Sequence, residues 1–192
     1  MIDAAIEHLA ARLNGELRTV FGMEEQVVVV SNILEQDGTN VPEVANKLAV
    51  FLVNLEKESA AQGRAPRVGG GGLAVLTAEP LHLNIYLMVA ANYRGAAYTQ
   101  GLRYLSAAAS YFQRHPVFDR HNSPDLPAPL ERLVLDIENL SLQDLGTLWG
   151  ALSGHYTPSL LYKVRTVSYA SDDIRARVPV ARDPQTTASA GR

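Results

Sequence analysis

The chain has 192 residues, 47% of them hydrophobic and 19% charged, which suits one packed domain with or without a tail and excludes wholesale disorder. Its formal net charge of -3, from 17 basic and 20 acidic residues, is not the balance of a basic nucleic-acid binder. With no cysteine, disulfides, thiolate metal sites and cysteine nucleophiles are all excluded.

The opening Met1-Ile2-Asp3-Ala4-Ala5-Ile6-Glu7 lacks the basic-then-apolar order of a secretory signal. Ile2, Ala5, Ile6, Leu9, Leu13, Leu17 and Val20 then recur at spacings of three and four, the stripe of an amphipathic helix, with Gly22 as its stop. Residues 26–34 hold Val27-Val28-Val29-Val30, a β-branched run suited to a strand. Residues 48–55 read as a second strand, with Ala49, Phe51, Val53 and Leu55 on one face. Asp37-Gly38-Thr39-Asn40 and Pro42 between them predict a hairpin with a long connection.

Residues 56–79 carry Arg64, Pro66, Arg67 and the run Gly69-Gly70-Gly71-Gly72, and are predicted to be a long glycine-rich loop. Period-two alternation from Leu81 to Val89, apolar on both faces, predicts a central strand. Residues 98–113 return to helical spacing and end at His115-Pro116, because proline disfavours helical geometry in the residue before it. Pro124, Pro127 and Pro129 stiffen a surface link, after which Leu133, Leu135 and Ile137 alternate as a strand. Ser141 to Asp144 reads as a variant capping box before a helix whose stripe is Leu142, Leu145, Leu148, Trp149 and Leu152. Residues 160–169 form the last predicted strand, with Lys163 and Arg165 on one face that meets water, a partner or, at a sheet edge, unwanted strands. The polar stretch 170–192 is expected to be a flexible tail.

The predicted class is therefore α/β in the α+β sense: a single domain, residues 1–169, with a mixed or antiparallel sheet of about five strands and about three helices, followed by the tail. The longest apolar run, Ile85 to Ala91, is far short of the roughly 20 residues that cross a bilayer, so no transmembrane segment is expected and the protein is placed in the cytoplasm.

No catalytic, cofactor-binding or metal site is predicted. The glycine run is followed by Leu73-Ala74-Val75-Leu76, without the lysine and hydroxyl residue of a phosphate loop. His8, His82, His115, His121 and His155 show no zinc spacing, although His115 and His121 flank Asp119. Ser153-Gly154-His155 is better explained by helix capping than by serine catalysis. A small-molecule-binding or hydrolytic domain using the glycine loop and His115/His121 stands as the alternative to an interaction protein.

Three longer motifs occur in order. They are Asn54-Leu55-Glu56, Pro80-Leu81-His82-Leu83-Asn84-Ile85-Tyr86, and Trp149 followed by Tyr156-Thr157-Pro158-Ser159-Leu160-Leu161-Tyr162-Lys163-Val164-Arg165. Together they resemble the tail-cap, or tube-terminator, proteins of phage-tail-like contractile injection systems, over residues 3–170 and at the level of an N-terminal domain. The resemblance implies a non-enzymatic structural cap without cofactors. It would form a homo-hexameric ring that ends the inner tube and contacts the last sheath layer, in a particle that is cytoplasmic, released or membrane-associated. Another tail-completion component of the same particle is the nearest variant. Arg64, Arg67, Lys163 and Arg165 are the expected assembly contacts. The 56–79 loop and the 170–192 tail are expected to order on assembly.

Overall fold

The computed structural model describes residues 1–35, 38–58, 67–69, 73–77, 82–128, 130–152, 155–168 and 174–179. The opening helix, α1 (Ile2–Phe21), forms as its spacing predicts. Ala5, Ile6, Leu9, Leu13 and Leu17 are buried, and Gly22 closes the helix in the left-handed conformation (φ 62°, ψ 38°), its amide donating to the Arg18 carbonyl. Val20 continues the spacing but is 58% exposed at the helix end.

The strands that follow are β1 (Val28–Val30), β2 (Lys47–Lys57), β3 (Arg67–Gly69), β4 (Leu73–Thr77) and β5 (His82–Asn92). Next come α2 (Tyr98–Arg114), β6 (Val117–Asp119), β7 (Leu130–Ile137), α3 (Leu142–Ala151), β8 (Ser159–Ser168) and β9 (Ile174–Pro179). Contacts divide the chain into two units, residues 1–59 with 81–169, and residues 60–80 with 170–192.

The first unit has the three helices and a six-stranded mixed sheet in the order β1-β2-β5-β8-β7-β6, the α+β class that the sequence predicts. β5 is central, antiparallel to both β2 and β8, as its two-faced apolar alternation requires. The predicted β1–β2 hairpin does not form. The two strands run parallel, with Val28 opposite Leu48 and Val30 opposite Val50. A parallel pair needs a crossover of a dozen or more residues, and residues 31–46 supply it. That connection doubles back through the Leu34–Asn40 bridge, then enters β2 through the 3-10 turn Pro42–Val44 and Asn46 at φ 54°.

One face of the sheet is covered by α1 and α2. Its core includes Leu9, Leu13, Leu17, Val50, Ile85, Leu87, Val89, Tyr111, Phe112, Leu133 and Tyr162. The other face packs Ala49, Met88, Ala90 and Leu161 against Trp149, with Leu145, Leu148 and Leu152 of the α3 region partly buried around them. Leu142, expected on that stripe, is 88% exposed, since the packed stripe begins only at Leu145. The capping box forms as predicted: the Asp144 amide donates to Ser141 Oγ at 3.1 Å, and that hydroxyl donates to Asp144 Oδ2 at 2.6 Å.

The second unit is a three-stranded antiparallel sheet in the order β3-β4-β9. Strands β3 and β4 therefore occupy parts of the stretch expected to be a loop, β3 ending on Gly69, the first of the glycine run, and β9 lies within the expected tail. The sequence Ile174-Arg175-Ala176-Arg177-Val178 does alternate, but with few large apolar groups, which is why the strand signal is weak. The remainder of 59–81 and of 169–192 lies outside the described residues.

Candidate functional site

Strand alternation puts Tyr86 of β5 on the α3 face, beside Met88 and Ala90, and Leu161 and Lys163 of β8 share that face. Past the end of the α3 packing, these strands continue into a polar ladder. The Tyr86 hydroxyl donates to Glu56 Oε2 at 3.0 Å, Lys163 Nζ lies 5.9 Å from the Tyr86 ring centroid, and Arg165 Nη2 donates to Asp136 Oδ2 at 2.7 Å. Desolvation, and then the hydrogen bond to Glu56, hold the Tyr86 hydroxyl above its ordinary value. Asn84, one step further along β5, is buried, and its Oδ1 has no hydrogen-bond partner among the described residues.

Of the four expected assembly residues, Lys163 and Arg165 are brought together on this ladder, half-buried and exposed respectively. β8 lies between β5 and β7, so these charges guard no sheet edge. Arg67 opens β3 in the second unit, and Arg64 lies outside the described residues. Asp136, the acidic partner of Arg165, comes from the adjacent β7, and Glu56, the partner of Tyr86, from β2, so both could be assigned only once the register was known.

The loop histidines do not converge on a site. His115 caps α2 with its ring 5.0 Å from Tyr111, and the Asp119 carboxylate accepts the amides of His121 and Asn122. Among the described residues, no group of three or more His, Asp or Glu could hold a metal ion.

Sequence reasoning missed one constellation. His8 Nε2 lies 3.3 Å from Ser123 Oγ, and His8 Nδ1 lies 3.9 Å from Asp125 Oδ2. The order serine, imidazole, carboxylate is that of a hydrolase triad. Ser123, however, is fully buried, so a substrate carbonyl has no approach to its hydroxyl. Burial, partly opposed by Asp125 and aided by Arg12, lowers the His8 pKa, which keeps a neutral ring against Phe118 at 6.0 Å. The cluster ties α1 to the turn after β6. Its partners are 115 residues apart, and no local pattern announces it.

Apolar side chains remain uncovered near α3. Of this helix only Trp149 is buried, while Leu142 is 88% and Tyr156, whose ring meets Trp149 edge-on at 6.4 Å, is 62% exposed. No helix of the described residues is long and apolar enough to cross a membrane.

Two solved structures share this fold. The cryo-EM structure of the anti-feeding prophage cap, the AFP tube terminating cap, superposes with a TM-score of 0.51 and 14% identity, over 92% of this chain and 60% of that one. The sheath/tube terminator of the extracellular contractile injection system PVC, in its extended state, gives a TM-score of 0.55 and 15% identity, over 93% and 64%. The chain thus spans less than two thirds of either protein. No curated protein matches it by sequence. The family model of the Pvc16 N-terminal domain matches residues 4–183, nearly the whole length, and the chain belongs to that family.

Proposed function

We propose that this protein is a structural cap of a contractile injection system, forming a six-membered ring that ends the inner tube and touches the last sheath layer. Membership of the family and the shared fold of two terminators support the reading. The observation that carries it within the molecule is the unequal cover of the sheet. One face is closed by two helices, whereas on the other α3 buries a single side chain and leaves Leu142 and Tyr156 in solvent. Exposed apolar groups on a rigid framework, beside a ladder of charges, are what a protein–protein contact uses. A ring built by one heterologous contact repeats that contact between all neighbours.

Arg64, Arg67, Lys163 and Arg165 are the proposed contact charges. Each exposed ion pair is worth about 0–1 kcal/mol, but the ring repeats every substitution at each interface, so small changes multiply. The test is light scattering across a concentration series, followed by negative-stain imaging with tube and sheath subunits. Six-membered rings seated on tube ends support the cap. A ring that binds tube or sheath elsewhere assigns another tail-completion role. A subunit that stays monomeric and ignores both proteins overturns the proposal.

A further inference from the structure

Between the β1–β2 connection and the end of α3 lies a cavity of about 370 Å³. Ile33, Leu34, Phe51, Trp149 and Leu152 give it an apolar part, and Asn32, Asn40, Arg94, His155 and Thr157 a polar one. The volume falls within the roughly 300–1,000 Å³ range of small-ligand sites, and a lining of both apolar and polar groups suits a ligand that has both. The chain builds it in a definite way. The Leu34–Asn40 bridge brings Ile33, Leu34 and Asn40 together in the lining, where Phe51 and the 3% exposed Trp149 join them.

Arg94, exposed to solvent, is the one permanently charged side chain among the described lining residues. Arg94 Nη2 donates to Asn40 Oδ1 at 3.2 Å, and no ion pair among the described residues involves Arg94. A guanidinium presents a planar fork that matches a carboxylate at two points, while an apolar wall rejects a strongly hydrated polyanion. A cationic ligand would be repelled by Arg94, and a purely apolar one would draw nothing from its charge.

We infer that this cavity binds an apolar group bearing a carboxylate, with the hydrocarbon part against Trp149 and Phe51 and the carboxylate on Arg94. A free aromatic acid and the C-terminal residue of a polypeptide both have this chemistry. The inference does not depend on the cap reading.

Trp149 is the chain's single tryptophan, so its emission reports directly on the cavity. The full chain is titrated with N-acetyl-phenylalanine, with N-acetyl-phenylalaninamide, and with a hexapeptide ending in phenylalanine, either free or amidated. The free acids are expected to change Trp149 emission saturably, and each amide to bind about tenfold more weakly or worse. Arg94→Gln should remove the preference for the acid while its melting temperature stays that of the parent. A hexapeptide that binds about tenfold or more tighter than the free acid assigns a polypeptide terminus as the source; equal binding assigns a small acid. Emission that none of the four probes changes, or equal affinity for acid and amide, overturns the inference.

Discussion

Gly101 sits in the interior of α2 facing Tyr93, the residue that follows β5 and is only 6% exposed. A Cβ built at Gly101 would lie 2.6 Å from Tyr93 Cβ and 2.7 Å from its Cγ and Cδ2. Cβ is fixed by the backbone, and the Tyr93 ring is held edge-on to Tyr104 at 5.6 Å, so the clash cannot be relieved by swinging a side-chain tip. Relief requires α2 to lift from the sheet. Overpacking of this kind costs about 1–3 kcal/mol, and this contact belongs at the upper end of that range. Alanine returns about 1 kcal/mol of helix propensity. Gly101→Ala should therefore lose about 1–2 kcal/mol, which for a chain of this size lowers the melting temperature by about 2–8 °C. Gly150 in α3 is the control: nothing lies within 4 Å of its notional Cβ, and Gly150→Ala should raise the melting temperature. Paired thermal melts by circular dichroism decide it. Gly101→Ala melting at or above the parent would refute the close approach of α2 to the end of β5.

Trp149→Ala should cost about 3–5 kcal/mol in urea denaturation, because it empties the centre of the α3-side core; an unchanged midpoint would deny that burial. Tyr162, 1% exposed, has its hydroxyl unpartnered among the described residues and its pKa pushed up to about 12 by burial, so Tyr162→Phe should be neutral or stabilising by about 1 kcal/mol, and clear destabilisation would show a hidden partner. Ser141→Ala removes the cap of α3 and should cost about 1 kcal/mol, visible as faster amide exchange in that helix; unchanged exchange would count against the cap. The folded-state pKa of His8 is lowered, so the unfolded chain takes up its proton first as pH falls below about 6.5, and stability should decline from there until the folded pKa is passed. His8→Gln should flatten that part of the stability–pH curve, and an identical slope in both proteins would exclude His8 as its source.

Elements with a local period were legible in the chain itself. The stripe from Ala5 to Leu17, the alternation through β5 and the Ser141–Asp144 box each need only a few neighbouring residues to declare their geometry. Direction of pairing is different in kind. The valines of β1 show that a strand exists, but whether it lies parallel or antiparallel to β2 depends on how residues 31–46 turn, and the Leu34–Asn40 bridge that turns them has no strong sequence mark. β6 is too short for a period to show, and it exists because β7 offers it an edge, with Phe118 opposite Leu133. β9 alternates Arg175 and Arg177 with modest apolar residues, so composition outweighed pattern. The candidate site was legible in one half: alternation put Lys163 and Arg165 on a shared face, but their counterparts Asp136 and Tyr86 arrive only through the register of β8 with β7 and β5.

The two faces of the first unit divide the labour between standing and joining. Leu13, Leu17, Leu48, Val89 and Leu133 are fully buried on the face under α1 and α2, so the subunit's rigidity can be carried there. The opposite face has a small closed core around Trp149, then Leu142, Tyr156 and the charged ladder in solvent. A free subunit that relied on this second face for its stability would bear the cost of leaving those apolar groups wet. A subunit that completes the face with a neighbour turns the same groups into binding energy while the α1–α2 side holds its shape, which keeps the interface preorganised and lowers the entropy lost on association. That separation is what the cap reading needs physically: a body stiff enough to close a ring, and a surface whose completion is left to the assembly.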